Sequence, residues 1–204
     1  QALRFLHLIE TRARDDKERL QAHIERMSNQ LKLVADSVAA QQAHAYGGNF
    51  QEALELGAFT EQILTLVQGS LNTHRVKWSL ERPGKFTVMA TRSKLSQTII
   101  NLVLNAQEAV SGLEPERRRI VIRLESPPSG VTLSVIDQGK GITPEVLPRL
   151  FQHGFTTRDD GHGFGLHSCA NYMQEMGGRI EAHSDGHDLG ATFVLFFPPV
   201  DPRS

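Results

Sequence analysis

Apolar and small side chains near the N-terminus recur in alternating steps of four and three, which is the spacing of a coiled-coil contact stripe. The positions are Leu20, Ile24, Met27, Leu31, Val34, Val38, Gln41 and Ala45. We expect residues 1–48 to form a long stalk helix that dimerises and ends at Gly47 and Gly48. An ordinary amphipathic helix packed on its own domain is the alternative for this spacing.

After Asn49 the pattern changes to shorter segments that alternate between helical and strand periodicity, which is typical of an α+β domain. The predicted helices are Leu54–Leu71, Ser93–Val110 and Phe164–Met176. The predicted strands are Val76–Leu80, Phe86–Met89, Ile120–Leu124, Val131–Ile136, Arg179–His183 and Thr192–Phe197. Because a Pro83-Gly84 turn separates the first two strands, we expect them to form a hairpin. The sequence therefore predicts helices over a mixed sheet in residues 49–204, preceded by the stalk.

The charge balance and the cysteine content exclude several kinds of partner and site. The 204 residues contain 22 Lys and Arg against 23 Asp and Glu, a net charge of -1, whereas nucleic-acid-binding domains carry a basic excess. Cys169 is the only cysteine, which excludes an internal disulfide and a multi-cysteine zinc site and agrees with a reducing compartment. We expect no nucleic-acid partner, and we expect Cys169 to serve packing.

Apolar runs in the chain are short. No stretch approaches the roughly 20 apolar residues that cross a bilayer, and the N-terminus lacks a signal-peptide pattern. We therefore expect a cytoplasmic location and no direct membrane contact within this chain. Helix-like sequence begins at Gln1 without a cap, so we expect a longer parent protein and leave membrane spans upstream open.

Two asparagines in the second predicted helix are candidates for cation binding. Asn101 and Asn105 are four residues apart, so they project from the same face of a helix. Amide oxygens can ligate a hard cation such as Mg²⁺, which keeps several waters and shares its other positions with nucleotide phosphates. Taken alone, the pair could equally cap or bridge helices.

Three later segments combine glycines with polar side chains. DQGKG at 137–141 follows a strand, where Asp137 can accept from an exocyclic amine and the glycines let backbone approach a flat ring; such residues also make simple turns. GHGFGL at 161–166 runs into a helix whose N-terminal N–H groups would face a polyphosphate, with a flexible loop as the alternative. In GATF at 190–193, Thr192 could hydrogen-bond a base.

In order and spacing, these segments resemble the boxes of the Bergerat-fold ATPases and kinases, the superfamily of gyrase, Hsp90, MutL and the histidine kinases. NLVLNAQEA at 101–109 resembles the N box, DQGKG at 137–141 the G1 box, LFQHGFTTR at 150–158 the F box and GHGFGL at 161–166 the G2 box. The resemblance covers about Asn49 to Pro199. It implies a Bergerat-fold two-layer α/β sandwich that binds ATP with Mg²⁺.

The same resemblance implies roles for individual residues. Asn101 and Asn105 would serve Mg²⁺ and the phosphates, Asp137 would bind adenine, and residues 152–162 would form a mobile lid. The full nucleotide-binding set that it implies is Asn101, Asn105, Asp137, Gly139, Gly141, Ile142, Phe151, Thr156, Thr157, Arg158, Gly161, His162, Gly163, Phe164, Gly165, Leu166 and Thr192.

One position favours a kinase over a hydrolase. Hydrolases of the superfamily, such as gyrase, carry a water-activating glutamate four residues before the Mg²⁺ asparagine, and Asn101 occupies that position here. An amide cannot take a proton at neutral pH, so the γ-phosphate should survive until an acceptor histidine arrives. Glu108 is a third candidate catalytic residue beside Asn101 and Asn105, and it either acts as a base or only orients its neighbours.

The stalk contains no recognisable phosphoacceptor. Histidine kinases present His followed by Glu or Asp and soon by Asn, Thr or Pro, and His7, His23 and His44 all depart from that pattern. We therefore expect the acceptor histidine to lie upstream of Gln1.

The resemblance thus implies an Mg²⁺-ATP-dependent histidine kinase module of a two-component system. It would act as a homodimer through its N-terminal helices, and its phosphoryl group would pass to a response-regulator receiver domain. Two alternatives share the ATP site: a degenerate module in which nucleotide rearranges the stalk without transfer, and an anti-sigma-type serine kinase. The missing acceptor motif favours the first alternative, while the stalk and the F-box-like segment oppose the second.

Overall fold

The computed structural model of the chain describes residues 50–157 and 163–199. The predicted stalk and dimer contact at 1–48, and Arg158, Gly161 and His162 of the nucleotide-binding set, lie outside these residues. The described residues belong to the second of the two units into which the chain divides, residues 50–204.

The described residues form a five-stranded mixed sheet, a two-stranded sheet and three α-helices. In chain order the elements are β1 (Glu52–Glu55), α1 (Leu56–Thr73), β2 (Lys77–Glu81), β3 (Thr87–Ala90), α2 (Arg92–Ala109), β4 (Arg119–Glu125), β5 (Val131–Asp137), α3 (Gly165–Glu175), β6 (Arg179–His183) and β7 (Ala191–Phe197). The five-stranded sheet has the order β2-β4-β5-β7-β6, with β2 and β4 parallel and the other neighbours antiparallel. The predicted α+β fold with a mixed sheet is confirmed.

The predicted hairpin between β2 and β3 is wrong. β2 pairs in parallel with β4, where Trp78 stands opposite Ile120, while β3 pairs antiparallel with β1, where Leu54 stands opposite Val88. β1 was not predicted, because the predicted helix at 54–71 included its last two residues. In the structure Glu55 ends β1 and caps α1 by accepting from the N–H groups of Gly57 and Ala58. A turn sequence indicates a change of chain direction, but it does not determine which strands pair beyond it.

One face of the sheet packs on the helices to form a hydrophobic core. Alternate strand residues face this layer, and Leu133 of β5 and Leu195 of β7 are fully buried in it. The helices contribute Leu64, Leu102 and Met173, which are equally buried. Because burying each such side chain contributes about 1.5–3 kcal/mol, this contact between layers gives the polar loops a rigid base.

The helices α2 and α3 pack antiparallel, and this arrangement positions the candidate site. Lys94 near the start of α2 forms an ion pair with Glu175 at the end of α3. Further along α2, Asn101 contacts Cys169 and lies beside Gly165, the first residue of α3. The last two turns of α2 therefore extend past the N-terminal end of α3.

Candidate nucleotide-binding site

The two N-box asparagines lie where α2 meets the N-terminus of α3. Asn101 is half-buried, and its Nδ2 donates to Cys169 Sγ at 3.7 Å. Asn105 lies about 6 Å further along the α2 axis, beyond the first residue of α3. Among the described residues, its amide makes no hydrogen bond, so both its oxygen and its nitrogen can engage a ligand.

Glu108 lies one turn beyond Asn105 and contacts the G1 segment. Its Oε1 is 3.9 Å from Lys140 Nζ, and 32% of its side chain is exposed. An ion pair of this length with partly exposed partners is weak, so its effect is to orient the two side chains rather than to stabilise the fold.

Asp137 ends β5 and is almost completely buried, with 4% of its surface exposed. Its Oδ1 accepts from the Gly139 backbone N–H at 2.8 Å. Burial raises the pKa of its carboxyl above the ordinary value, and the N–H groups of Gly139 and Ala191 and the charge of Lys140 offset part of that rise. A further hydrogen-bond donor, such as an exocyclic amine, would stabilise the ionised form.

The G1 loop is docked on the C-terminal end of α2. The Lys140 N–H donates to the Ala109 carbonyl oxygen at 3.1 Å. Gly139 packs so closely on Ala109 that an added Cβ would overlap its backbone. Glycine is therefore needed at position 139 for the close approach of loop and helix.

The turn between β6 and β7 holds the other side of the G1 loop. Ser184 Oγ accepts from the Ile142 N–H at 2.9 Å and donates to the Gly190 carbonyl oxygen at 2.5 Å. Gly141, at φ +66°, lies against the Gly186 carbonyl, where an added Cβ would overlap it. The segment after Asp137 is thus fixed between α2 and the β6–β7 turn.

The N-terminus of α3 has the features of an anion site. Phe164 precedes the helix, gives it no side-chain cap and is 45% exposed. The first N–H groups of α3 therefore lack an acceptor within their own helix or from the cap residue. Gly163, at φ +68°, packs on the backbone of Gly154 and brings the two described ends of the lid segment together.

The F-box segment contacts α3 through His167. Its Nδ1 lies 3.0 Å from the Phe151 carbonyl oxygen, which can only accept, so Nδ1 carries the proton, while Nε2 is 3.1 Å from Asn171 Nδ2. The His153 ring meets the His167 ring edge-on at 5.0 Å. Of the remaining predicted residues, Ile142, Phe151 and Leu166 are partly buried against the core, Thr156 is half-buried and Thr157 is exposed.

The structure does not bring Thr192 together with the other predicted residues. Thr192 pairs with Ile136 and lies on the face of the sheet opposite to Asp137. Ala191 is the residue that stands opposite Asp137, and its backbone N–H lowers the pKa of the carboxyl against the effect of burial. Sequence reasoning missed Ala191, although alternation along β7 from the buried Phe193 places it on the inner face.

The residues present fit a magnesium ion held jointly with a nucleotide. The amides of Asn101 and Asn105 could supply neutral oxygen ligands, and Mg²⁺ readily takes phosphate oxygens and waters in its other positions. Within the described residues, no group of three or more His, Cys, Asp or Glu side chains is arranged to hold a metal alone. The described helices also include none that is long and apolar enough to cross a membrane.

The fold and the site together define a nucleotide-binding α/β sandwich of the Bergerat type. Residues 90–201 match the family described as "Histidine kinase-, DNA gyrase B-, and HSP90-like ATPase". The chain belongs to this family.

The similar proteins include a sensor protein, a sensor histidine kinase and the catalytic domain of a histidine kinase. The chain is 35% identical over 128 residues to the sensor protein FixL of Bradyrhizobium diazoefficiens, covering 62% of this chain and 25% of that protein. It is 30% identical over 148 residues to the sensor histidine kinase ZraS of Escherichia coli, covering 72% of this chain and 31% of that protein. The solved catalytic domain of the histidine kinase ThkA is 26% identical, with a TM-score of 0.63 over 72% of this chain and 95% of that one. The chain therefore spans about a quarter to a third of these curated relatives and nearly all of a solved catalytic domain.

Proposed function

We propose that this chain is the ATP-binding catalytic part of a sensor histidine kinase. The observation that carries the proposal is the arrangement along α2: Asn101 lies beside Gly165 at the uncapped N-terminus of α3, and the G1 loop that follows buried Asp137 docks on Ala109 about two turns further on. We propose that these elements and Asn105 border one nucleotide space. In the proposed reaction, the bond between the γ-phosphorus and the β–γ bridging oxygen of ATP breaks. A bond between that phosphorus and an acceptor histidine nitrogen forms, and ADP leaves.

Each wall of this space has a proposed task. Asp137 accepts from the adenine amino group, and the docked G1 loop lies along the flat base. The N–H groups that begin α3 bind phosphate oxygens, as do Gly163 and Gly165 of the G2 segment. The amides of Asn101 and Asn105 would hold Mg²⁺, which would supply charge neutralisation to the phosphates. Positioning and charge neutralisation are what phosphoryl transfer needs from a protein.

The absence of a water-activating glutamate supports transfer to a histidine rather than hydrolysis. Asn101 occupies the relevant position, and its Nδ2 is already engaged by Cys169. An amide takes no proton from water at neutral pH. Glu108, which contacts Lys140, is proposed to orient the G1 loop rather than to act as a base.

The remaining parts of the proposal concern the whole protein. The acceptor histidine stands on a helical stalk and is none of His7, His23 and His44. Residues 1–48 contribute to a homodimer. The phosphoryl group passes to an aspartate of a response-regulator receiver domain in the cytoplasm. The sensor histidine kinase relatives support this assignment.

Nucleotide binding followed by transfer tests the proposal. Titrating ATP with Mg²⁺ should give binding by the wild type, with affinity lowered at least tenfold in Asn105→Ala and Asp137→Ala. Asn72→Ala, an exposed asparagine at the end of α1, is the matched control and should bind as the wild type does. If both site variants bind ATP with wild-type affinity, the assignment of these residues to the nucleotide site is wrong.

Adding a separate histidine-bearing stalk with γ-labelled ATP tests transfer itself. Acid-labile label on the stalk is expected, because phosphohistidine is acid-labile. Acid-stable label would indicate a serine kinase. Normal ATP binding without any transfer would favour a nucleotide-sensing module, which the missing acceptor motif already makes the second candidate.

A further inference from the structure

Cys169 lies on α3 directly behind Asn101 and is fully buried. Its Sγ is 3.7 Å from Asn101 Nδ2 and 4.0 Å from the carbonyl oxygen of Thr98, which lies nearly one turn earlier on α2. The thiol therefore stands between a donor and an acceptor of the helix that carries the N box.

The chemistry of these two partners orients the Asn101 amide. A carbonyl oxygen can only accept, so the single thiol proton belongs to Thr98 and the sulfur accepts from Asn101. Nδ2 also faces Gly165, where an added Cβ would lie 3.9 Å away. Oδ1 is consequently the edge of the amide that turns away from α3.

We propose that Cys169 is a positioning residue that presents the Asn101 oxygen to the magnesium and phosphate group. The inference rests on the proposed function and adds a residue that the N-box motif does not contain. An amide without this contact would rotate, and in the flipped state its N–H groups would face the cation that the oxygen should ligate. Cys169 thus acts through Asn101 and does not touch the ligand.

Three variants separate orientation of the amide from simple packing. Cys169→Val fills the site with a slightly larger apolar side chain and removes the acceptor, while Cys169→Ser keeps an acceptor and a donor. Met173→Leu, at a fully buried position one turn further along α3, is the packing control. The ¹H–¹⁵N resonances of the Asn101 side-chain amide, assigned by their loss in Asn101→Ala, report on the nucleotide-free protein. ATP titrations at a series of Mg²⁺ concentrations report on binding.

Cys169→Val should move the Asn101 amide resonances and raise the Mg²⁺ concentration for half-maximal ATP binding about threefold to tenfold. Cys169→Ser should bring the Mg²⁺ concentration for half-maximal ATP binding most of the way back to the wild-type value. Met173→Leu should leave both measurements unchanged. Wild-type values for Cys169→Val in both measurements, with ATP binding intact in the wild type, would overturn this inference alone. A wild type that binds no ATP overturns the proposed function and this inference with it.

Thermal unfolding checks that each variant is folded. If Cys169→Val does not fold, the comparison of Cys169→Ala with Cys169→Ser tests the positioning role of Cys169. The alanine variant must then need a higher Mg²⁺ concentration for half-maximal ATP binding than the wild type, and the serine variant must not. Equal Mg²⁺ requirements of the two variants overturn the inference.

Discussion

Asp137 occupies a place that suits the neutral form of its side chain better than the ionised form. It is almost completely buried, and burial raises the pKa of its carboxyl in the folded protein. A carboxyl whose pKa is raised on folding stabilises the folded state below the unfolded-state pKa, and that contribution is lost as the pH rises through the folded-state pKa. At neutral pH the ionised side chain therefore costs stability, as is common for groups that serve binding.

We predict that Asp137→Asn raises the Tm of the nucleotide-free protein at pH 7 and lowers its ATP affinity about tenfold to a hundredfold. The gain in Tm should shrink as the pH falls to about 4, because the wild-type carboxyl then gains its proton. Circular dichroism melts between pH 4 and 8 and an ATP titration at pH 7 measure the two effects.

Asp185→Asn, an exposed aspartate in the β6–β7 turn, is the control and should change neither quantity. A Tm difference between Asp137→Asn and the wild type that grows toward low pH would contradict the prediction.

Side-chain chemistry decided which site residues the sequence could indicate. Asn101, Asn105 and Asp137 carry polar groups in recognisable spacings, so each was predicted from its motif. Ala191 acts through a backbone N–H that every strand residue has, so composition gives no signal for it. From the sequence, Cys169 was expected only to serve packing. Its contact with Asn101, 68 residues earlier in the sequence, depends on how α2 and α3 pack together.

At the scale of elements, the G1 loop depends on the β6–β7 turn. Two backbone bonds join them, from the Asp188 N–H to the Lys140 carbonyl oxygen and from the Gly190 N–H to the Gly139 carbonyl oxygen. Ser184 adds a side-chain link, since its hydroxyl bonds both the Ile142 N–H and the Gly190 carbonyl oxygen. We predict that Ser184→Ala lowers the free energy of unfolding by about 1–3 kcal/mol and weakens ATP binding about threefold to tenfold. Urea denaturation and ATP titration measure these losses.

Ser126→Ala is the matched control, because Ser126 bonds the Gly130 carbonyl oxygen across the β4–β5 turn, away from the G1 loop. It should leave ATP affinity unchanged. Equal losses of affinity in the two serine variants would show that the link to the G1 loop is not what supports binding.

Gly139, which packs against the C-terminal end of α2, and Gly165, which begins α3, should differ in their tolerance of a methyl group. At Gly139 an added Cβ overlaps the Ala109 backbone, whereas at Gly165 it meets only the Asn101 side chain at 3.9 Å. We predict that Gly139→Ala costs about 1–3 kcal/mol of stability and separates the loop from α2. Gly165→Ala should change stability by less than about 0.5 kcal/mol. Urea denaturation of both variants checks this, and a larger loss at Gly165 would refute it.

The elements themselves were easier to predict than their pairing. Periodicity predicted a helix at 93–110, and α2 is observed at Arg92–Ala109; the prediction for β6 matches its observed bounds. The hairpin failed because β2 and β4 are parallel neighbours joined by a crossover through β3 and α2. Local turn signals contain no information about a partner some 40 residues away.

At the scale of the whole molecule, the candidate site exists only in the folded state. Asn105, Asp137, Gly165 and Ser184 belong to four separate segments, which the sheet and helix layers bring to one edge. A ligand that contacts several of these segments binds the folded chain and not the unfolded chain. Binding and stability are therefore linked.

This linkage predicts a magnesium-dependent rise in Tm. At a free ATP concentration about 100 times Kd, binding should add about 2.7 kcal/mol, which is about 5–10 °C for a domain of this size. Chelating the metal with EDTA should remove most of the rise, because it would take away the ion that we propose joins the phosphates to Asn101 and Asn105. Asn105→Ala should show a smaller rise with Mg²⁺ than the wild type, while Asn72→Ala should match the wild type. An identical rise with Mg²⁺ and with EDTA would mean that the nucleotide binds without the asparagine pair.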